Sequence, residues 1–94
     1  MNDALSLLGL VFRARKIVLG EEILRQIKKV RLMVIASDIS ASSRERLEKK
    51  CHYYGIDHID TFDSRQLSTA LGKNNVKAIG IIDAGFAEAF CKKL

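Results

Sequence analysis

Residues 32–38 read Leu32-Met33-Val34-Ile35-Ala36-Ser37-Asp38. Five apolar side chains in a row, with no polar alternation, mark a strand covered on both faces. Such a strand needs helices above and below it, and the flanking sequence supplies them. Downstream, Ser42-Ser43-Arg44-Glu45 has the spacing of a capping box and opens a helix. That helix is expected to bury Leu47, Cys51 and Tyr54 and to stop at Gly55. Upstream, Gly20 breaks the chain before a helix running from Glu21 to about Lys29, with Ile23, Leu24 and Ile27 as its buried stripe. Its acids lie at the positive end of the helix dipole and its lysines at the negative end.

The same pattern extends to both ends of the chain. Asn2 or Asp3 can cap a first helix that carries Leu5, Leu8 and Phe12 at helical spacing. Lys16-Ile17-Val18-Leu19 is short and β-branched and reads as a strand or extended link. Ile56 to Phe62 alternates apolar and polar residues, as a half-exposed strand does. Asp63-Ser64-Arg65-Gln66 is a second capping box, for a helix through Leu67, Ala70 and Leu71 that ends at Gly72. Lys73-Asn74-Asn75 is a polar loop, Val76 to Ile82 an apolar strand. Asp83-Ala84-Gly85 leads into a last helix with Phe86 and Phe90 on one face. Helices and strands alternate strictly, which predicts an α/β/α sandwich on a four-stranded, mostly parallel sheet.

Ninety-four residues make one domain, 1–94, with 48% apolar and 29% charged residues and no proline. A chain of this size buries roughly 60–65% of its unfolded surface, so the core is thin. No apolar run reaches the length of a membrane span. Met1–Phe12 fails as a signal peptide, because Asp3 stands where positive charge belongs and Arg13-Ala14-Arg15-Lys16 follows the apolar stretch. Cys51 and Cys91 are too few and too far apart for a secreted disulfide framework. They are expected to be buried, reduced thiols of a cytoplasmic protein.

The charge is unevenly placed. Of 16 basic residues, seven lie between Arg13 and Arg31: Arg13, Arg15, Lys16, Arg25, Lys28, Lys29 and Arg31. Only Glu21 and Glu22 oppose them in that window, while the rest of the chain is neutral. A local excess on a neutral scaffold is the footprint of a polyanion-binding site; the plain alternative is a solvated helix face. Gly20 lets a ligand approach the backbone, and the helix start beyond it offers unpaired N–H groups. Two glutamates would repel phosphate oxygens, but carboxylates accept hydrogen bonds from amino and imino groups of exposed bases. The combination tilts the reading to structured RNA.

Catalytic and metal motifs are weaker. There is no glycine-rich phosphate loop, nucleophile elbow or Cys-x-x-Cys pair. Cys51, His52, His58 and Asp60 match no standard zinc spacing. Asp38 and Asp83 both follow apolar strands and could act as acid and base or hold magnesium, although aspartate at such junctions more commonly caps the next helix.

Six stretches taken in order resemble a known family. They are Leu8-Gly9-Leu10 with Arg13-Ala14-Arg15-Lys16, Gly20-Glu21-Glu22, Leu32–Asp38, Lys50-Cys51-His52-Tyr53-Tyr54, Leu71-Gly72-Lys73 and Asp83-Ala84-Gly85-Phe86-Ala87. Together they are similar to the bacterial YlxQ-like branch of the ribosomal L7Ae/L30e superfamily, over nearly the whole chain. The resemblance implies an α/β/α sandwich with a mixed sheet. It also implies binding of structured RNA, with kink-turn RNA as the best-known target, and a ribosome-associated or RNA-processing role for this branch. The superfamily reads RNA with a Gly-Thr-Asn-Glu stretch at the start of the second helix and a Lys three residues later. Matching buried positions puts the Asn on Glu21, the Glu on Glu22 and the Lys on Arg25. Matching the glycine at Gly20 puts them on Glu22, Ile23 and Gln26. Either way an acid replaces the Asn. The second RNA contact of the superfamily, an apolar loop before the last strand, falls on polar Lys73-Asn74-Asn75.

The expected site is therefore one continuous surface. Arg13, Arg15, Lys16, Lys28 and Lys29 would neutralise phosphates, Glu21, Glu22 and Arg25 would contact base edges, and Gly20 would admit the backbone. The expected partner is structured RNA, with ribosomal RNA as a candidate. No cofactor, metal, membrane or DNA enters this reading, and the chain is expected to be monomeric and non-catalytic. The alternatives are a protein–protein adaptor with an acidic partner, or a small-molecule enzyme built on Asp38 and Asp83.

Overall fold

The computed structural model describes residues 2–94. The chain runs α1 (Asp3–Arg13), β1 (Ile17–Leu19), α2 (Glu21–Arg25), a 3-10 turn (Ile27–Lys29), β2 (Leu32–Ile35), α3 (Ala41–Tyr54), β3 (Asp57–Ile59), α4 (Ser64–Leu71), β4 (Ala78–Ile81) and α5 (Ala84–Lys92). The four strands form one mixed sheet in the order β1-β4-β2-β3.

The α/β/α sandwich with a mixed four-stranded sheet is as expected, but the mostly parallel pairing that alternation alone predicts fails at one strand. β2 and β3 pair in parallel, but β4 runs against both β1 and β2. Because β4 lies between them, one reversed strand makes two of the three ladders antiparallel. The cause is the link from β3 to β4. The eight-residue α4 carries the chain along the sheet, and residues 72–77 then return it to the end where β3 finished. A right-handed crossover, which would have kept β4 parallel, is not completed.

Each face of the sheet carries its own core. Leu32, Val34, Ile79 and Ile81 pack with Leu8, Val11, Leu67 and Phe90 of α1, α4 and α5. Val18, Met33 and Ile35 pack on the other face with Ile23, Ile27 and Cys51. Period-two alternation thus sends the continuous apolar run of β2 to both layers. Gly80 makes the second layer fit. A Cβ there would stand 2.9 Å from Val18 Cγ2 and 3.1 Å from Val30 Cγ2. Gly80→Val is expected to cost about 1–3 kcal/mol through overpacking, read as a lower urea midpoint.

Local signals set the helix ends. Asn2 caps α1 by accepting from the N–H groups of Ala4 and Leu5 at 2.8 and 3.3 Å. The capping box of α4 forms as its sequence predicts, between Asp63 and Gln66. α3 starts earlier than expected. Ser40 is its cap, accepting from Ser43 N–H at 3.3 Å, so Ser42 to Glu45 lie inside the helix. Tyr54, expected in the core, is 37% exposed. The helix expected from Glu21 to Lys29 breaks at Gln26 into α2 and the 3-10 turn. In a 3-10 turn side chains three apart eclipse, and this keeps Ile27 and Val30 both buried against the sheet. β3 is three residues long at the sheet edge rather than the seven of Ile56–Phe62, and Phe62 turns inward to meet Phe90 edge-to-face at 6.3 Å.

Candidate nucleic-acid interface

The strand directions decide which residues can meet. Leu19 pairs with Ile79, and Ile35 with Ala78. The carboxyl ends of β1 and β2 and the start of β4 therefore share one end of the sheet. At this end a groove of about 370 Å³ opens between α2 and α3. Leu19, Leu24, Ile39, Leu47 and Val76 give it an apolar lining, and Gly20, Glu21, Arg46 and Lys77 stand on its walls.

Gly20 holds φ 56 and ψ −133, a conformation only glycine takes without strain. Open space surrounds the position its Cβ would occupy, so the backbone here is accessible. The Gly20 turn aims α2 so that Gly20, Glu21, Ile23 and Leu24 all line the groove, with Ile23 buried at its base against the sheet. Leu24 was expected in the core, yet it is 41% exposed. Ile23 and Leu24 are adjacent, about 100° apart on the helix; Ile23 lies under α2 against the sheet, and Leu24 is left at the edge of that buried stripe, where the groove opens.

Glu22 and Arg25 do not line the groove. Arg25 Nη1 donates to Glu22 Oε1 at 2.6 Å, and its Nη2 lies 3.5 Å from Glu21 Oε2. Gln26 Nε2 donates to Glu22 Oε2 at 3.0 Å. The amide of Gln26 and then the guanidinium of Arg25 hold the Glu22 carboxyl below its ordinary range. The acid and base expected to read base edges thus satisfy each other on the outer side of α2. With only five residues α2 also supplies little dipole.

The other cations of the Arg13–Arg31 window lie elsewhere. Ile82 N–H donates to the Lys16 carbonyl at 2.9 Å, and Arg31 N–H to the Ile81 carbonyl at 2.7 Å. Both residues therefore flank the carboxyl end of β4, at the opposite end of the sheet from Gly20. Arg15, in the left-handed region at φ 62, sits in the turn before Lys16. Lys28 and Lys29 belong to the 3-10 turn that leads to Arg31. Arg13 lies in a separate groove between α1 and α4, with Arg65 and Gln66. The continuous basic surface expected from the sequence is divided among three places.

The site at the Gly20 end draws instead on residues that the charge count passed over: Ile39, Arg46, Val76 and Lys77. Two of them leave a trace in the sequence. Ile39 is a lone apolar residue in a polar loop, and Lys77 a lone charge in an apolar strand. Lys73, Asn74 and Asn75 stay outside the groove; Lys73 Nζ lies 5.7 Å from the centre of the Phe12 ring.

The family model described as the ribosomal protein L7Ae/L30e/S12e/Gadd45 family matches residues 3–91. The chain belongs to this family. Its relatives include the RNA-binding protein YlxQ of Enterococcus faecium, 32% identical over 90 residues, which is 93% of this chain and 86% of that protein. The RNA-binding protein YlxQ of Bacillus subtilis is 32% identical over 84 residues, 86% of this chain and 84% of that one. A protein of unknown function from Bacillus halodurans superposes with a TM-score of 0.92 at 32% identity, covering 99% of this chain and 97% of its own. The Giardia lamblia 15.5kD RNA binding protein shares the fold, with a TM-score of 0.74 at 23% identity over 94% of this chain and 82% of that one.

In this L7Ae-family chain the two aspartates cannot form one catalytic pair. Asp38 follows β2 and Asp83 follows β4, and these strands are antiparallel, so the carboxylates lie at opposite ends of the sheet. Each has a structural task. Asp38 accepts from the N–H and Oγ–H of Ser64 at 2.8 and 2.6 Å, which ties the start of α4 to the end of β2. Those two bonds, the hydroxyl's first, hold its carboxyl below the usual range. Asp83 caps α5 by accepting from Phe86 N–H at 2.9 Å. Nor do the metal-like residues converge: His58 faces Glu48 at 3.5 Å, Asp60 accepts from Arg44 at 3.0 Å, and Cys51 points into the core.

The two cysteines differ. Cys51 is buried as expected, but Cys91 is exposed on α5. Burial, followed by the charge of Glu48, pushes the Cys51 thiol up to about 11, so it stays protonated at neutral pH. Iodoacetamide on native protein is expected to label Cys91 and spare Cys51, as read by peptide mass spectrometry.

Proposed function

We propose that this chain is a non-catalytic binding module for folded RNA, and that the groove between α2 and α3 is where the RNA docks. The observation that carries the reading is the groove itself: an apolar floor beside an accessible glycine backbone, with one arginine and one lysine on its walls. Arg46 and Lys77 are placed to hold phosphates. Leu24, Ile39 and Val76 offer an apolar surface to an unstacked base, and Glu21 can accept from a base edge. Membership of a family whose YlxQ relatives carry the name of RNA-binding proteins supports the same reading.

Ribosomal RNA is the target class we assign, bound in the cytoplasm by a monomer that uses neither DNA nor membrane as a partner. A kink-turn is the first RNA to try. With two or three phosphates engaged, log affinity for duplex-containing RNA falls against log salt with a slope of roughly −2 to −3. A salt-independent affinity contradicts the proposal. The test in cells is crosslinking and sequencing of bound RNA, in wild type and in Leu24→Asp, whose new carboxylate repels the backbone and wets the floor. Enriched ribosomal fragments that vanish in the variant support the reading. A partner that survives nuclease treatment, with no RNA recovered, replaces it with the adaptor alternative.

A further inference from the structure

At the end of the sheet away from the groove, Lys28, Val30, Arg31, Tyr54, Gly55 and Ile56 line a third depression. We infer that this surface is a separate binding site for single-stranded RNA, with Tyr53 and Tyr54 as a stacking platform and Lys28 and Arg31 as phosphate contacts. The inference goes beyond the groove reading and uses none of its residues.

Four observations carry it. Tyr53 is 80% exposed, the most exposed large apolar side chain among the described residues, and Tyr54 is 37% exposed. Their rings meet edge-on, with centroids 4.8 Å apart and planes at 78°, so Tyr53 presents an aromatic surface that the fold does not use. Lys28, Arg31 and Lys50 are free to meet phosphates: like most cations of the chain they have no ion-pair partner among the described residues, which only Arg25, Arg44, Lys49 and Lys92 have. Lys50 lies three and four residues before the tyrosines on α3, hence on their side of the helix.

Acids at this end are few. Asp83 spends its carboxylate on the α5 cap, and Asp57 starts β3 beside Gly55 and Ile56. Lys28 and Lys29 alone could be explained as cations completing a helix carboxyl end. That explanation does not reach Arg31, which precedes a strand, or Tyr53, which leaves its ring in water. Cations beside exposed aromatic faces are the arrangement that binds single strands without sequence preference, since every base has a face to stack. With folded RNA in the groove, this surface would lie at the far end of the molecule and could take a neighbouring unpaired strand.

The test is fluorescence anisotropy with a labelled oligouridylate of about twelve nucleotides, long enough to cover one such site. Tyr53→Ala is expected to weaken binding about tenfold, and Tyr53→Phe, which keeps the ring, to stay within about twofold. Lys28→Ala with Arg31→Ala should make the salt slope shallower by about 1.4, at roughly 0.7 per phosphate of a single strand. Arg46→Ala with Lys77→Ala, in the groove, should leave oligouridylate binding unchanged. The inference is overturned if oligouridylate does not bind, or if Tyr53→Ala binds as wild type does. It is also overturned if the groove variant loses the oligonucleotide, or if polyglutamate displaces it as well as unlabelled oligouridylate does, which would mark an acidic-protein site. A failure here leaves the folded-RNA reading of the groove standing, because that reading is measured with a different RNA and different variants.

Discussion

Arg46→Ala combined with Lys77→Ala is expected to lower the affinity for folded RNA about thirtyfold at 0.15 M salt, and to make the salt slope shallower by about 1.8. The magnitude follows from counterion release. Each duplex phosphate neutralised contributes roughly 0.9 to the slope, which between 1 M and 0.15 M salt is about fivefold in affinity, and two contacts multiply. Arg46 lines the groove and has no ion-pair partner among the described residues. Lys77 is partly engaged, since its Nζ donates to Ser64 Oγ at 3.4 Å and lies near the Asp38 carboxylate. The long, charge-assisted part of that arrangement is the part an RNA phosphate would replace. Both side chains stand outside the core, so the thermal midpoint of the double variant should stay within a few degrees of wild type. Filter binding across a salt series is the measurement. An unchanged slope would mean that the phosphates are held elsewhere.

The largest expected loss of stability is at Phe90→Ala, about 3–5 kcal/mol. Phe90 is fully buried and is the largest side chain in that state. It sits in the layer formed by α1, α4 and α5 and meets Phe62 edge-to-face. Truncation removes the ring from the core and leaves a cavity between the sheet and α5 that the helix cannot close without breaking its Asp83 cap. A chain of this size has only about 5–10 kcal/mol in all, so the variant should unfold near physiological temperature. Calorimetry should place its midpoint at least about 12 °C below wild type. A shift of a degree or two would show that this layer is packed otherwise.

The elements of this fold were legible because each announces itself locally. The five apolar residues Leu32–Ala36, the Asp63–Gln66 box and the glycines at 55 and 72 each act within a few residues of themselves. The direction of β4 was not legible. Nothing in Val76–Ile82 records which end of the sheet it enters from; that is set by how far α4 and the loop after it carry the chain. Strand direction also decides which side chains can meet. A parallel β4 would have gathered Asp38 and Asp83 at one end, whereas the reversed strand separates them.

The candidate site was legible only in part. Gly20 and Glu21 were found, because a glycine before a helix is a local signal. Arg46, Ile39 and Lys77 come from three other segments that only the tertiary structure brings to Gly20. Clustering of charge along the sequence misled for the same reason. A window of nineteen residues containing a strand and a helix crosses the sheet and returns, so neighbours in sequence end at opposite ends of the molecule.

The direct test of the groove is amide chemical-shift mapping of the labelled protein during titration with a folded ribosomal RNA fragment. The largest changes are predicted at Leu19 to Leu24, Ile39 and Val76 to Ala78, with the α1–α4 face unmoved. If those amides hold still while the resonances around Arg13 and Arg65 shift, folded RNA binds on the opposite face and the account given for the groove is wrong.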